Sequence, residues 1–155
     1  MRRLILCLLV ACAAAAPVAS TAPAKNGRGT MCVVHARLTA KSETTGSTST
    51  AKGYTLIRVR NDGTITFKTQ ILNRNHETFF AGHIHLGPAG VAGAIVVPLF
   101  GPPSPATTAR HIKQSGTATP AAGTTGAGIC QSPGAYYVNY HTTAFAGGAI
   151  RGQLR

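Results

Sequence analysis

The chain has 155 residues and carries 15 Lys and Arg against 3 Asp and Glu, a net charge of +12 with histidines neutral. That length supports one domain with a real core and is too short for two. Three acidic residues leave no convincing carboxylate pair for glycoside hydrolysis. Basic side chains are scattered from Arg28 to Arg155 without interleaved aromatics, which excludes a dedicated nucleic-acid site.

Residues 1–20 read as a signal peptide. Met1-Arg2-Arg3 is a basic start, an apolar run extends to Ala16, and Pro17 breaks it before small residues suited to cleavage after Ser20. Leu9-Val10-Ala11-Cys12 also resembles a bacterial lipobox, so lipid anchoring at Cys12 is the minor alternative to plain secretion. No later segment approaches the ~18 continuous apolar residues of a transmembrane helix. The expected location is extracellular or periplasmic. A basic exported protein is suited to acidic polysaccharide or another extracellular polyanion. Residues 21–30 read as a disordered leader, and residues 31–155 as the domain.

Cys7 and Cys12 leave with the signal, so the mature chain keeps Cys32 and Cys130. An even pair in an oxidising compartment predicts one disulfide.

From Met31, Cys32, Val34, Ala36 and Leu38 alternate with His35, Arg37 and Thr39, the pattern of a half-buried strand. Residues 42–51 are a polar loop. Residues 53–60 and 64–72 flank Asn61-Asp62-Gly63, a strong hairpin signal. Residues 79–86 and 94–100 form a second pair around a Gly- and Pro-containing turn. From 101 to 134 the pattern dissolves into Pro, Gly, Ala, Thr and Ser, read as a long loop that hides at most a short helix or strand near residues 109–114. Strands at 136–142 and 149–154 close the chain. Many short strands and no useful helix period predict an all-β antiparallel β-sandwich.

Two strings carry the chemistry. In a strand, side chains alternate between faces. His83 and His85 then share one face around Ile84, and Tyr137, Asn139 and His141 share one face of 136–142. If those strands meet, three imidazoles converge.

At these strings the sequence resembles the CHRD family, the domain first named in chordin and found in many bacterial secreted proteins. The matching residues are Gly82-His83-Ile84-His85-Leu86-Gly87-Pro88-Ala89-Gly90, Tyr137-Val138-Asn139-Tyr140-His141-Thr142 and Gly147-Gly148-Ala149-Ile150-Arg151-Gly152-Gln153-Leu154. The family's Glu-Val-Pro-Pro loop is represented only by Glu43-Thr44-Thr45-Gly46. A looser likeness, in order of residues, is to copper-zinc superoxide dismutases: a His-x-His strand, a late strand ending in His, then an Arg, here His83, His85, His141 and Arg151. That likeness widens the expected fold to a Greek-key, superoxide-dismutase-like or immunoglobulin-like sandwich.

Three imidazoles without carboxylate or thiolate suit copper or zinc. Asn139 and Thr142 are the candidates for orienting the rings, although a backbone carbonyl would serve as well. His35, His76 and His111 are the candidates for a fourth ligand. Arg151 is the candidate anion holder, since so few acids are available to pair it. The competing reading is a polar network in which His83, His85, Asn139 and Thr142 satisfy one another. The expected function is accordingly a secreted, non-catalytic binding or matrix-associated module. The alternative is a copper- or zinc-binding protein, with superoxide-dismutase-type oxidoreductase chemistry if it is an enzyme.

Overall fold

A computed structural model describes residues 29–155. The expected signal peptide, the Cys12 anchor and most of the leader lie outside the described residues. Eight strands follow in order: β1 (Thr30–Thr39), β2 (Lys52–Arg60), β3 (Ile65–Leu72), β4 (Phe79–Leu86), β5 (Ala94–Phe100), β6 (His111–Ala118), β7 (Tyr136–Thr142) and β8 (Ile150–Gln153). They form one antiparallel sheet ordered β5-β4-β7-β8-β1-β2-β3-β6. Two four-stranded halves, β5-β4-β7-β8 and β1-β2-β3-β6, join where Thr39 pairs with Arg151 and where His35 and Arg155 exchange backbone hydrogen bonds. The other ends, β5 and β6, approach each other, so the sheet nearly closes. The chain crosses from β3 to β4, back from β5 to β6, and across again to β7. These crossings put β6 beside β3 and β7 beside β4, the Greek-key arrangement.

The core lies between the halves and follows the period-two pattern. Val34, Ala36 and Leu38 of β1 meet Ile57, Val59, Ile65, Phe67 and Ile71, with Ile84, Val97, Val138, Tyr140 and Ile150 supplying the other wall. A small polar thread runs through this apolar layer. The Tyr140 hydroxyl donates to Thr69 Oγ1 at 2.9 Å, and Thr69 and Thr55 hydroxyls lie 2.8 Å apart, so the buried hydroxyls satisfy one another across the halves. At Asn61-Asp62-Gly63 the hairpin closes as the turn chemistry predicts, with Gly63 at φ +82° and the Thr64 amide donating to Asp62 Oδ1.

The stretch from 101 to 134 is not a single loop. It contains β6, paired along its length with β3, and a short helix α1 (Gly126–Gln131) whose N-cap Thr125 accepts from the Gly128 amide at 3.0 Å. The short element expected near residues 109–114 is this strand; its type and full extent were not legible, because only Ile112 and Ala118 of β6 are buried. Gly116 lies against the Phe67 ring, so a position that would otherwise display an apolar residue is a glycine. Helix α1 carries Cys130 to Cys32, and the two form a disulfide with Cα atoms 5.8 Å apart and a sequence separation of 98. A loop of that length corresponds to about 4–5 kcal/mol in the chain-entropy account. Among the described residues no helix is long and apolar enough to cross a membrane.

Candidate metal centre

The Greek-key crossing makes β4 and β7 neighbours, and their register decides the site. His83 stands opposite Asn139, His85 opposite Tyr137, and Ala81 opposite His141. All these residues lie on the face of the sheet away from the core. Such a face is normally wet, yet His85 and His141 are buried. Three connections roof it over. The 87–93 turn is strapped down by Arg151, whose guanidinium donates to the Pro88 and Val91 carbonyls at 2.9 and 3.0 Å, and by Gln153 Nε2, which donates to the Gly87 carbonyl at 2.7 Å. From the loop after β1, Glu43 Oε1 accepts from Asn139 Nδ2 at 3.4 Å. The 143–148 turn closes the third side.

Two of these connections present carbonyls to the rings. His85 Nδ1 donates to the Gly93 carbonyl and His141 Nδ1 to the Ala146 carbonyl, each at 2.9 Å. Using Nδ1 this way fixes the tautomer of a neutral ring and leaves the Nε2 lone pair free. His85 Nε2 is buried and has no hydrogen-bond partner, and His141 Nε2 lies 3.1 Å from His83 Nδ1. One ring nitrogen from each of His83, His85 and His141 falls within 4.8 Å of the others. Burial holds all three rings below the ordinary histidine value, and the neighbouring His141 and His85 help push His83 down to about 4. At neutral pH the cluster is therefore uncharged and can act as a set of donors.

His83, His85 and His141 come together as period-two alternation proposed. The remaining candidates sit elsewhere. His35 stacks on Tyr54 in the other half, His76 bonds the Thr108 carbonyl, and His111 is exposed at the start of β6. Asn139 is buried beside the rings with its Oδ1 unpartnered, and neither ring Nδ1 uses it as acceptor. Thr142 points to the opposite face from His141, where its hydroxyl donates to Glu77 at 3.5 Å and accepts from the Phe145 amide at 3.2 Å. It braces the turn that presents Ala146 and does not touch a ring. Arg151 differs most from expectation. It is 1% exposed and its guanidinium is engaged by backbone carbonyls, so it is a strap and not an open anion holder. A buried cation accepts that arrangement because carbonyl oxygens and the face of Tyr137, 3.3 Å from the guanidinium carbon, replace the water it loses.

Sequence reading missed Tyr137, Gly93 and Glu43. Tyr137 had a signal, since it shares a face with Asn139 and His141; it stacks on His85 at 4.8 Å, and its hydroxyl accepts from the Gly93 amide at 3.1 Å. Glu43 had only its place in the counterpart of the family's loop, and Gly93 had no signal, because only the folded 87–93 turn carries it to His85.

Fold and site together define an all-β domain with a triad of histidines on one half of its sheet. The CHRD domain family matches residues 34–154, and the chain belongs to that family. Comparison with curated proteins and with solved structures gave no significant match.

Proposed function

We propose that this protein is an exported binding module whose ligand is a copper or zinc ion held by His83, His85 and His141. The observation that carries this reading is His85 Nε2, a buried ring nitrogen with no hydrogen-bond partner in a cluster of like donors. A purely structural network would satisfy that atom, because an unpartnered buried polar group costs about 1–3 kcal/mol. The carbonyl acceptors on His85 and His141 support the same reading, since ligating histidines normally donate their other ring N–H to an oxygen. Metal–nitrogen bonds of about 2.0–2.1 Å ask for movements on the order of an ångström per ring. Three protein donors leave a position for a small molecule, with His83 the least buried of the three rings. When bound, copper would add redox chemistry and zinc would not. The dismutase likeness adds no catalytic reading here, because Arg151 is committed to the Pro88 and Val91 carbonyls.

Export is supported by the reading of residues 1–20 and by the Cys32–Cys130 disulfide, a bond suited to an oxidising compartment.

The test is metal stoichiometry on protein stripped with chelator and then equilibrated with copper or zinc. About one equivalent should remain per chain, with a rise in melting temperature, and His83→Ala/His85→Ala should retain none. His83→Ala alone, at the least buried ring, checks that any loss is not an effect of misfolding. A natively folded wild-type protein that retains no metal would reject the proposal and leave the histidines as a structural cluster.

A further inference from the structure

The charge that looks scattered along the chain is segregated in space. Apart from the buried Arg151, every strand-borne cation belongs to β1-β2-β3-β6: Arg37, Lys52, Arg58, Arg60, Lys68 and Lys113. They alternate with buried residues such as Ala36, Ile57, Val59, Phe67 and Ile112, which places them on the outer face of this half. Register then orders them. Arg37, Tyr54, Gln70 and Lys113 stand in one row across the four strands. Arg58, Lys68 and Lys113 form a diagonal, each one strand across and two residues along from the last. Strand geometry makes each diagonal step about 8 Å. No acid interrupts the face: Glu43 is against Asn139, Glu77 accepts from Ser49, and Asp62 is on the β2–β3 turn.

Between Lys52 and Lys113 the face opens into a hollow of about 270 Å³, walled by Tyr54, Gln70, Leu72 and His111. Tyr54 is exposed and is propped from behind by His35, ring centroids 5.6 Å apart. Around the diagonal, Thr66, Ser115 and Thr117 supply hydroxyls. An exposed aromatic beside paired cations, with an amide and hydroxyls nearby, is the chemistry that recognises an anionic sugar. The aromatic face takes the ring's C–H groups, ammonium groups take the carboxylate or sulfate, and Gln70 takes hydroxyls.

We infer that the outer face of β1-β2-β3-β6 binds a linear acidic polysaccharide, with one sugar in the Tyr54 hollow and successive anionic groups along Lys113, Lys68 and Arg58. Single-stranded nucleic acid needs several aromatic platforms for its bases, and of Phe, Tyr and Trp this face carries only Tyr54, whose ring is already stacked on His35. Base readout in duplex DNA needs an element that enters a groove, which a four-stranded sheet face does not provide. The surface is independent of the histidine cluster, which lies on the other half.

Heparin is the probe, titrated against the purified protein at about 0.15 M salt, where surface charge is already screened. Lys68→Ala/Lys113→Ala should weaken binding about tenfold and flatten its salt dependence. Lys41→Glu removes the same net charge from outside the face and should change affinity less than about twofold. Tyr54→Ser should weaken binding while leaving the salt dependence unchanged. All four positions are exposed, so melting temperatures should stay close to wild type. Equal losses in Lys68→Ala/Lys113→Ala and Lys41→Glu would show attraction by net charge alone and overturn the inference. So would tighter binding of poly(dT) or phosphatidylserine vesicles than of heparin under the same conditions.

Discussion

His85 and Tyr137 stack nearly parallel across the β4–β7 pair, ring centroids 4.8 Å apart and planes at 11°, while Arg151 lies over the same Tyr137 ring. The tyrosine thereby links a candidate ligand to the strap that roofs it. Tyr137→Phe keeps the stack and removes the acceptor for the Gly93 amide, a loss of about 1 kcal/mol in urea unfolding. Tyr137→Leu also removes the flat surface under both partners, and should cost at least another 1 kcal/mol. Metal affinity, measured by competition with a chelator, should fall in Tyr137→Leu and be nearly retained in Tyr137→Phe.

Gly93 lies between these partners: its amide meets Tyr137 and its carbonyl meets His85. A β-carbon at this position would run into the Leu86 backbone carbonyl, which no side-chain rotation relieves. Gly93→Ala should therefore destabilise the fold by about 1–3 kcal/mol. It should also lower metal affinity about 10–100-fold by displacing the acceptor that aims His85. Retention of wild-type affinity would show that the Gly93 carbonyl does not orient the ring.

Arg151→Lys tests the strap. A lysine keeps the charge but cannot reach two carbonyls with a planar fork. Losing one charged hydrogen bond to the backbone predicts a destabilisation of about 1.5–3 kcal/mol by urea unfolding. Hydrogen exchange at the 87–93 amides should accelerate more than in the core strands.

Acid should destabilise the metal-free protein through the histidines. His83 is held near 4 in the fold against an ordinary 6.5. The unfolded chain therefore binds a proton that the native one refuses between those values. The contribution is fully present above about pH 6.5 and is lost as pH falls toward 4; His85 and His141 shift in the same direction. Urea unfolding in the presence of chelator should show this slope, and His83→Gln should reduce it. An unchanged slope in that variant would place the titration elsewhere.

Much of the architecture was legible because strand alternation is local. It put Val34, Ala36 and Leu38 inward, grouped His83 with His85, and grouped Tyr137, Asn139 and His141. The cysteine pair was legible because Cys7 and Cys12 fall in the expected signal peptide, which singled out Cys32 and Cys130. β6 was legible only in part, as a short helix or strand near residues 109–114, since a strand of small and polar residues is held by its backbone pairing with β3 and shows little pattern of its own.

What the residues fixed by themselves is which side chains share a face, because that follows from the chain's own two-residue repeat. Only the tertiary structure decided which faces meet. The Greek-key crossing brought β7 beside β4, and loop carbonyls fixed two of the three rings, His85 and His141, with Nε2 turned into the cluster. The same folding buried Arg151 and collected the remaining strand cations onto one surface. Register and burial depend on partners far away in sequence, and no local pattern encodes them.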